Sequence, residues 1–449
     1  MELGTKQRYG VVYGIAAFFL ILGLLASRFD MAALAQGLWL IFRSSGILIT
    51  DYIALAGTGP TFVNAGLVIL VTGALMDHYG LKLDGVGIMT VGFMAGFSMF
   101  GKNLVNMWFM LFGTRMYCRI KRTGMKEHLT LSLMSTALGP IVSNLLFYQG
   151  VFSVQGLIAS FAVGTVIGLV APSLSTHTAG VLNDLSLYNG GFALGLLAMV
   201  ICPVLKAYGW EFQGQDLWAT GYNKPFGIGL LVICGLFVLA GFVVDKDHAW
   251  TNYKNILKRP GKPKDDFTRL DGLGAALVNI GINGALATLV VVFVMRGDLN
   301  GATMGGIISI MGCSARGKHA KNILPVMAGI VLAAHTNIYP SHHHGLQLAL
   351  LFGTSLAPIA GTYGWPIGVL AGFIHASVVL FAGAGYSGVN LYNNGFCAGL
   401  VAVVMWPMLR ALLKPNTYSQ PSESVIEEAR QKEMARLGQP AKQEEAVAE

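Results

Sequence analysis

The hexapeptide Leu-Tyr-Asn-Gly-Gly-Phe at residues 187–192 recurs as Leu-Tyr-Asn-Asn-Gly-Phe at residues 391–396, and each copy is followed three residues later by a glycine. The match continues backwards through the chain in the same order. The matched positions include Gly57 with Gly272, Asn64 with Asn279, Lys102 with Lys318, Asn106 with Asn322, and Pro140 with Pro358. A colinear series of this kind identifies an internal duplication of half the chain rather than a short repeated motif.

Composition places both halves in a membrane. Of 449 residues 54% are hydrophobic and 12% are charged, about half the charge of a soluble domain. Each apolar stretch approaches the ~20 residues that a helical span needs, and together they are too apolar for a β-barrel. The sequence therefore predicts an all-α polytopic membrane protein with about ten transmembrane helices, near residues 10–27, 60–76, 128–148, 152–171, 190–206, 226–244, 274–295, 346–363, 366–382 and 396–412.

The distribution of basic residues predicts that the two halves are inverted. Residues 115–126 carry five lysines and arginines and the equivalent residues 331–345 carry none, whereas residues 245–270 carry seven and the equivalent residues 29–51 carry one. Basic loops remain in the cytoplasm, so equivalent loops are expected on opposite sides. Inverted repeats are typical of secondary transporters. The net charge of +8 is thereby assigned to orientation in the bilayer and not to nucleic-acid binding.

This pattern also predicts the organisation of the chain. Both termini are expected in the cytoplasm and the aromatic linker outside. After residue 415 the chain is polar, and a capping box at Ser424 predicts a short charged helix to about Leu437. The predicted units are a first transmembrane repeat at 1–207, an extracytoplasmic linker at 208–225, a second, inverted repeat at 226–412, and a cytoplasmic tail at 413–449.

Each half also contains an apolar segment that is interrupted by a lysine. Residues 86–117 are broken by Phe-Gly-Lys-Asn at 100–103, and the second half has Arg-Gly-Lys-His at 316–319. Fifteen residues form ~22 Å of helix against a hydrocarbon core of ~30 Å, which favours two re-entrant hairpins whose turns meet near the midplane. The alternative, in which both arms cross fully and the lysines snorkel to an interface, stays open.

A lysine within a membrane is costly unless something compensates its charge, so the two turns predict a functional site. Helices beginning at Asn103 and His319 would add backbone N–H groups there, favouring a small anion or a carboxylate. Tyr188 and Tyr392 are assigned to structure. The predicted substrate-binding residues are Lys102, Asn103, Ser98, Lys318, His319, Ser314, Arg316, Asn106, Asn322, Asn189 and Asn393.

Asn64 and Asn279 begin equivalent spans and are candidate ligands of a coupling cation, with Na⁺ or H⁺ as that ion. The alternative for all these asparagines is hydrogen bonding between helices. No other cofactor and no metal site is predicted. Carboxylates are nearly absent from the spans, with Asp51 at an edge and Asp184 in a loop without an equivalent. Their scarcity argues against an acidic proton relay and against a cationic substrate.

No catalytic signature is present, and the Gly-Lys pairs lack the Ser or Thr that binds magnesium in a P-loop. The chain is therefore predicted not to be an enzyme. The paired Leu-Tyr-Asn-x-Gly-Phe elements and Gly-Lys turns resemble an uncharacterised family of bacterial polytopic membrane proteins, a duplicated domain of unknown function. That resemblance covers most of residues 10–412 and implies the bacterial cytoplasmic membrane. A fainter likeness is to urea channels.

The first hypothesis is a secondary transporter of a small, anionic or carboxylate-bearing solute, working by alternating access between the two repeats. The alternative is a channel for a small neutral or anionic solute, and a membrane enzyme or assembly factor ranks last. The expected partners are the solute and the lipid bilayer, with no nucleic acid. Assembly into a homo-oligomer is left open.

Overall fold

The computed structural model describes residues 5–416, so the predicted tail helix from Ser424 lies outside the described residues. The described chain is all-helical apart from two isolated β-bridges. The first half contains α1 (Thr5–Ala26), α2 (Met31–Arg43), α3 (Tyr52–Ala56), α4 (Thr58–His78), α5 (Gly85–Phe97), α6 (Trp108–Lys121), α7 (Met125–Ser135), α8 (Gly139–Leu146), α9 (Val154–Leu182) and α10 (Asn189–Ala207). The second half contains α11 (Asn223–Val244), α12 (Ala249–Ile256), α13 (Phe267–Leu270), α14 (Leu273–Leu289), α15 (Gly301–Cys313), α16 (Ala320–Thr336), α17 (His344–Phe352), α18 (Ala357–Tyr363), α19 (Trp365–Ala382) and α20 (Asn393–Leu412).

Ten helical segments within residues 5–416 are long and apolar enough to cross a membrane, and they coincide with the ten predicted stretches. Two of them are interrupted at equivalent places: α7 joins α8, and α17 joins α18, through short 3₁₀ turns. Large apolar side chains such as Val243, Phe293 and Phe381 are exposed on the outside. A surface of this kind is stable against lipid and unfavourable in water, so the prediction of a multi-pass membrane protein is confirmed.

The same helix pairs form in both halves. Helix α1 packs on α4 as α11 packs on α14, and α6 packs on α9 as α16 packs on α19. The halves join through two pairs of equivalent helices, α5 with α15 and α10 with α20. At the first junction a Cβ atom on Gly92 would lie 2.7 Å from the Cα of Gly312. The two backbones therefore touch, which only glycine allows at this point.

Helices α5 and α15 lie antiparallel and side by side. A Cβ atom on Gly85, the first residue of α5, would lie 2.9 Å from the carbonyl oxygen of Ala315, just past the end of α15. Equally, one on Gly301 would lie 2.7 Å from the carbonyl oxygen of Met99. Each turn thus lies beside the start of the opposite arm. The expectation that the two turns meet is wrong, because the arms overlap along their length.

The loops gather at two ends of the bundle. At the first, the backbone N–H of Gly85 donates to Asp266, and Arg269 pairs with Asp84. The loops 79–84, 121–126 and 257–271 form this basic end. The other is the linker end, where the linker pairs with the chain around Thr50.

Both ends of the described chain lie at the basic end. The Tyr9 hydroxyl, in the second turn of α1, donates to the Leu81 carbonyl. After α20, the Asn416 N–H donates to the Thr362 carbonyl, in a helix that touches Pro260. Helix α11, in contrast, begins at the linker end, where Asn223 bonds Gly297. Equivalent first helices thus begin at opposite ends.

Candidate functional site

An asparagine amide closes each lysine turn. The Asn64 Nδ2 donates to the carbonyl oxygens of Ser98 at 2.7 Å and Lys102 at 3.0 Å. Asn279 binds the two equivalent carbonyls of the second half at 2.8 and 2.7 Å. All four residues named are buried. The donor side of both predicted cation ligands is therefore occupied in holding the turn, while the Asn64 Oδ1 has no hydrogen-bond partner among residues 5–416.

A second asparagine organises the residues after each lysine. The Asn106 Oδ1 accepts the backbone N–H of Asn103 at 3.1 Å, and Asn322 accepts that of His319 at 2.9 Å. Helix α16 begins directly after His319, as predicted. The prediction that α6 begins at Asn103 is wrong, because α6 begins at Trp108. The side chains of Asn103 and Asn106 bond backbone groups of the turn and hold it in a non-helical conformation.

The Lys102 side chain is 1% exposed and turns back towards the middle of the bundle. Its Nζ lies 2.8 Å from the hydroxyl of Tyr392, 3.3 Å from the carbonyl of Leu133 and 3.4 Å from the Sδ of Met94. Tyr392 belongs to the repeated hexapeptide of the other half. The lysine of the first half is thus bound by the tyrosine of the second.

Lys318 makes the reciprocal contact and is fully buried. Its Nζ lies 2.5 Å from the Tyr188 hydroxyl and 2.7 Å from the Oγ1 of Thr354. We call the Lys102–Tyr392 and Lys318–Tyr188 contacts the lysine–tyrosine bridges. Within residues 5–416 no carboxylate forms an ion pair with either lysine. Each lysine amino group is therefore buried among hydrogen-bonding partners that carry no charge.

A central cavity of about 70 Å³ lies between the two bridges. Its walls include Phe97, Phe352 and the rings of Tyr188 and Tyr392, which both pack on Phe93 with ring centroids 5.1 and 5.6 Å away. The hydroxyls of both tyrosines bind ammonium groups, so the cavity itself is lined mostly by apolar surface.

The predicted asparagines of the hexapeptides bind neighbouring helices. The Asn189 Nδ2 donates to the Ser175 carbonyl on α9 at 2.7 Å, and the Asn393 Nδ2 donates to the Val379 carbonyl on α19 at 3.3 Å. Both amide oxygens also accept hydroxyl donors. These contacts favour the interpretation of interhelical hydrogen bonding for this pair.

A larger pocket, of about 230 Å³, lies near the basic end between the halves. Polar groups of Asp184, Ser186 and Asn189 line it from the first half, and Arg316 and Cys313 line it from the second. Cys313 also lies 3.9 Å from the Tyr188 hydroxyl. The pocket therefore reaches towards the Lys318–Tyr188 bridge, and we call it the basic-end pocket.

Asp51 is fully buried at the linker end, although the sequence placed it at an edge. Its carboxylate accepts the backbone N–H groups of Ile53, Ala219 and Gly301. Burial raises the pKa of Asp51 to about 6, against the lowering effect of these hydrogen bonds. Through these hydrogen bonds, the Asp51 carboxylate joins the linker and the start of α15 to the first half.

Three hydroxyl groups that contact the lysines are absent from the predicted site: those of Tyr188, Tyr392 and Thr354. The two tyrosines and the pair Thr136 and Thr354 are identical between the halves. That identity was the available signal, since interfacial anchoring alone does not require the same hydroxyl in both copies. The tyrosines were assigned to structure because the sequence of one half does not show which residues of the other half it contacts.

The sequence model of one family, described as a protein of unknown function (DUF1576), matches the chain twice, over residues 31–207 and 245–411. The predicted resemblance to a duplicated domain of unknown function is confirmed. No curated protein and no solved structure matches the chain.

Proposed function

The chain belongs to the DUF1576 family of proteins of unknown function, and we propose that it is a secondary transporter for a small, anionic or carboxylate-bearing solute. The proposed membrane is the bacterial cytoplasmic membrane. Transport proceeds by alternating access between the two halves.

The observation that carries this proposal is the burial of two lysine amino groups without a carboxylate partner. Lys102 and Lys318 contact hydroxyls, a carbonyl and a thioether. Charged side chains at membrane depth without a partner mark pathways for ions and substrates. An anionic solute supplies the missing charge.

The arrangement of the halves supports alternating access. The bridges are reciprocal, and α1 begins at the basic end whereas α11 begins at the linker end. Both features are expected of inverted-topology repeats, the architecture in which a duplicated unit forms two access states. The excess of lysine and arginine supports a cytoplasmic basic end, with both termini inside and the linker outside.

The lengths of the arms support re-entrant hairpins. Helices α5 and α15 have 13 residues each, or about 20 Å of helix, which is less than the ~30 Å of the hydrocarbon core. We propose that both lysine turns end within the membrane.

The bridges suggest how the solute drives the exchange. Tyr188 belongs to the first half and Lys318 to the second, so an anion that displaces the tyrosine hydroxyl from the ammonium removes a contact between the halves. Such a ligand has a different affinity for the joined and separated arrangements, which is the requirement for shifting their populations. The same holds for Lys102 and Tyr392.

A channel is the second candidate, and the apolar walls of the central cavity favour it for a neutral solute. Phe93, Phe97 and Phe352 would present little obstacle to a small uncharged molecule. Carrier and channel differ in their kinetics.

Counterflow in liposomes tests the proposal. The purified full-length protein is screened for thermal stabilisation by acetate, propionate, butyrate, urea and glycine, and the best ligand is used in radiolabelled form. We expect saturable exchange that responds to a Na⁺ or H⁺ gradient. Downhill, non-saturating flux would indicate a channel. Normal exchange by the Lys102→Met, Lys318→Met double variant would reject the anion proposal.

A further inference from the structure

The basic-end pocket contains two opposite charges that do not pair. Within residues 5–416 the Arg316 guanidinium and the Asp184 carboxylate each lack a hydrogen bond and an ion pair within 4 Å, although both line the same pocket of about 230 Å³. Asp266 and Asp84 influence Arg316 from a longer distance. Both side chains are half-buried. Two such charges held apart across a cavity are complementary to a molecule that carries both signs.

The pseudo-equivalent place between the halves carries neither charge. Phe100 stands where Arg316 stands, and Gly388 stands where Asp184 stands. Phe100 is 1% exposed and packs in a tilted arrangement on Phe97, which occupies the position of Cys313. At the pseudo-equivalent place, aromatic side chains thus fill the space that is open in the basic-end pocket.

The backbone at Asp184 adds an independent observation. Asp184 has φ of 61° and Gly388 has φ of 73°, so both halves use a left-handed conformation here. Glycine adopts it without steric cost, whereas other residues do so at roughly 1–2 kcal/mol. Aspartate is one of the few other residues that adopt this conformation routinely. The first half therefore places a carboxylate where the second half has only a glycine, and this carboxylate has no hydrogen bond or ion pair within residues 5–416.

From the opposed charges, the missing counterpart and the aspartate without a partner, we infer that the basic-end pocket binds a zwitterionic solute, with its carboxylate on Arg316 and its ammonium group on Asp184. This inference rests on the proposed transport of a carboxylate-bearing solute and narrows that class. A guanidinium binds a carboxylate through two parallel N–H donors, which gives the site an orientation as well as a charge.

One residue of the pocket also contacts the Lys318–Tyr188 bridge. Cys313 lines the pocket and contacts the Tyr188 hydroxyl, which binds Lys318. The carboxylate can pass from Arg316 to the Lys318 ammonium while the pocket still surrounds the rest of the molecule. Asp184 then acts as the selectivity residue, since a simple carboxylate gains nothing from it.

Binding to the purified full-length protein in detergent tests the inference. Glycine, β-alanine and γ-aminobutyrate are compared with acetate, propionate and butyrate, which lack only the ammonium group. The best amino acid is expected to bind about tenfold more tightly than its matched carboxylate. The chain length that binds best reports the separation between Asp184 and Arg316.

Variants of Asp184 and Arg316 separate the inference from the proposed function. Asp184→Asn should make the amino acid and its matched carboxylate bind equally, and Asp247→Asn, an exposed loop substitution outside the pocket, should leave the tenfold preference intact. Arg316→Gln should weaken both ligands, and Arg316→Lys should restore part of the binding. The inference is overturned if no amino acid binds, if the carboxylates bind equally well, or if Asp184→Asn keeps the preference. Lys102-dependent uptake of a simple carboxylate alongside any of these results would leave the transport proposal standing.

Discussion

The two halves share a scaffold and differ in the chemistry that it carries. Asn64 and Asn279 bind equivalent carbonyls at nearly equal distances, and Tyr188 and Tyr392 bind reciprocal lysines. The halves differ beside the turns, where Arg316 of the second half occupies the position that Phe100 occupies in the first. Duplication thus preserved the groups that close each turn and let the side chains beside it diverge. The comparison separates residues that form the architecture from residues that we propose to select the ligand.

The largest effect is expected from removing either ammonium group. Lys318→Met and Lys102→Met should each lower exchange roughly 100-fold, because a hydrogen bond to a charged group contributes about 1.5–3 kcal/mol and its loss leaves the solute uncompensated. Initial rates of counterflow measure this. Lys→Arg variants are the matched controls, and a full rate in only one Met variant would show that the halves do not contribute equally.

The turn amides should differ between the halves in stability. In the second half, Asn283 also donates to the Lys318 carbonyl at 3.2 Å, and Val68 stands at its position in the first half. Asn64→Ala should therefore lower the free energy of unfolding by about 2–4 kcal/mol, and Asn279→Ala should lower it by about 1–2 kcal/mol. Melting temperatures in detergent rank the two. Equal losses would show that Asn283 does not support its turn.

The tyrosine hydroxyls should compete with the solute. Tyr392→Phe and Tyr188→Phe free one ammonium group each, so the half-saturating solute concentration should fall, by about tenfold at most. Lys102 keeps only contacts of 3.3 and 3.4 Å, whereas Lys318 keeps Thr354 at 2.7 Å. The Tyr392 variant should therefore show the greater change. A rise in the half-saturating concentration would contradict competition.

The smallest effect concerns pH. The pKa of Asp51 is about 6 in the fold and 3.8 as its model-peptide value, so its protonation stabilises the fold fully below about pH 4, and this contribution is lost as the pH rises through 6. Between about pH 7 and pH 5 the wild type should gain about 1 kcal/mol relative to Asp51→Asn. Melting curves of both proteins across that range measure the difference. Asp247→Asn, which is exposed, should follow the wild type.

Sequence was sufficient for features that depend on composition and repetition. The ten spans follow from apolar length. The breaks at Thr136 and Thr354 lie at matched positions, each just before a helix with a proline in its first turn, Pro140 or Pro358. The sequence was not sufficient to predict contacts between segments that lie far apart in the chain. The turn after Lys102 was predicted to begin a helix, but side-chain bonds from Asn103 to the backbone delay α6.

The cross-half contacts could not be predicted for a related reason. Whether Tyr188 contacts Lys318 depends on the axial position of α5 relative to α15. Gly92 and Gly312 set this position through a backbone contact. No pattern within one half reveals that contact. Asp51 illustrates the same limit. Three N–H groups from separate segments surround it, so a position that reads as an edge in the chain is interior in the fold.

One aromatic ring lies where the two halves come together. Phe93 packs against both bridging tyrosines, and Ser309, which occupies the matching position in the second half, offers no ring. Exchanging the roles of the halves therefore cannot return the molecule to an equivalent arrangement. In the proposed alternating-access cycle, the two end states would therefore differ in energy before any ligand binds, and the protein would rest in one of them.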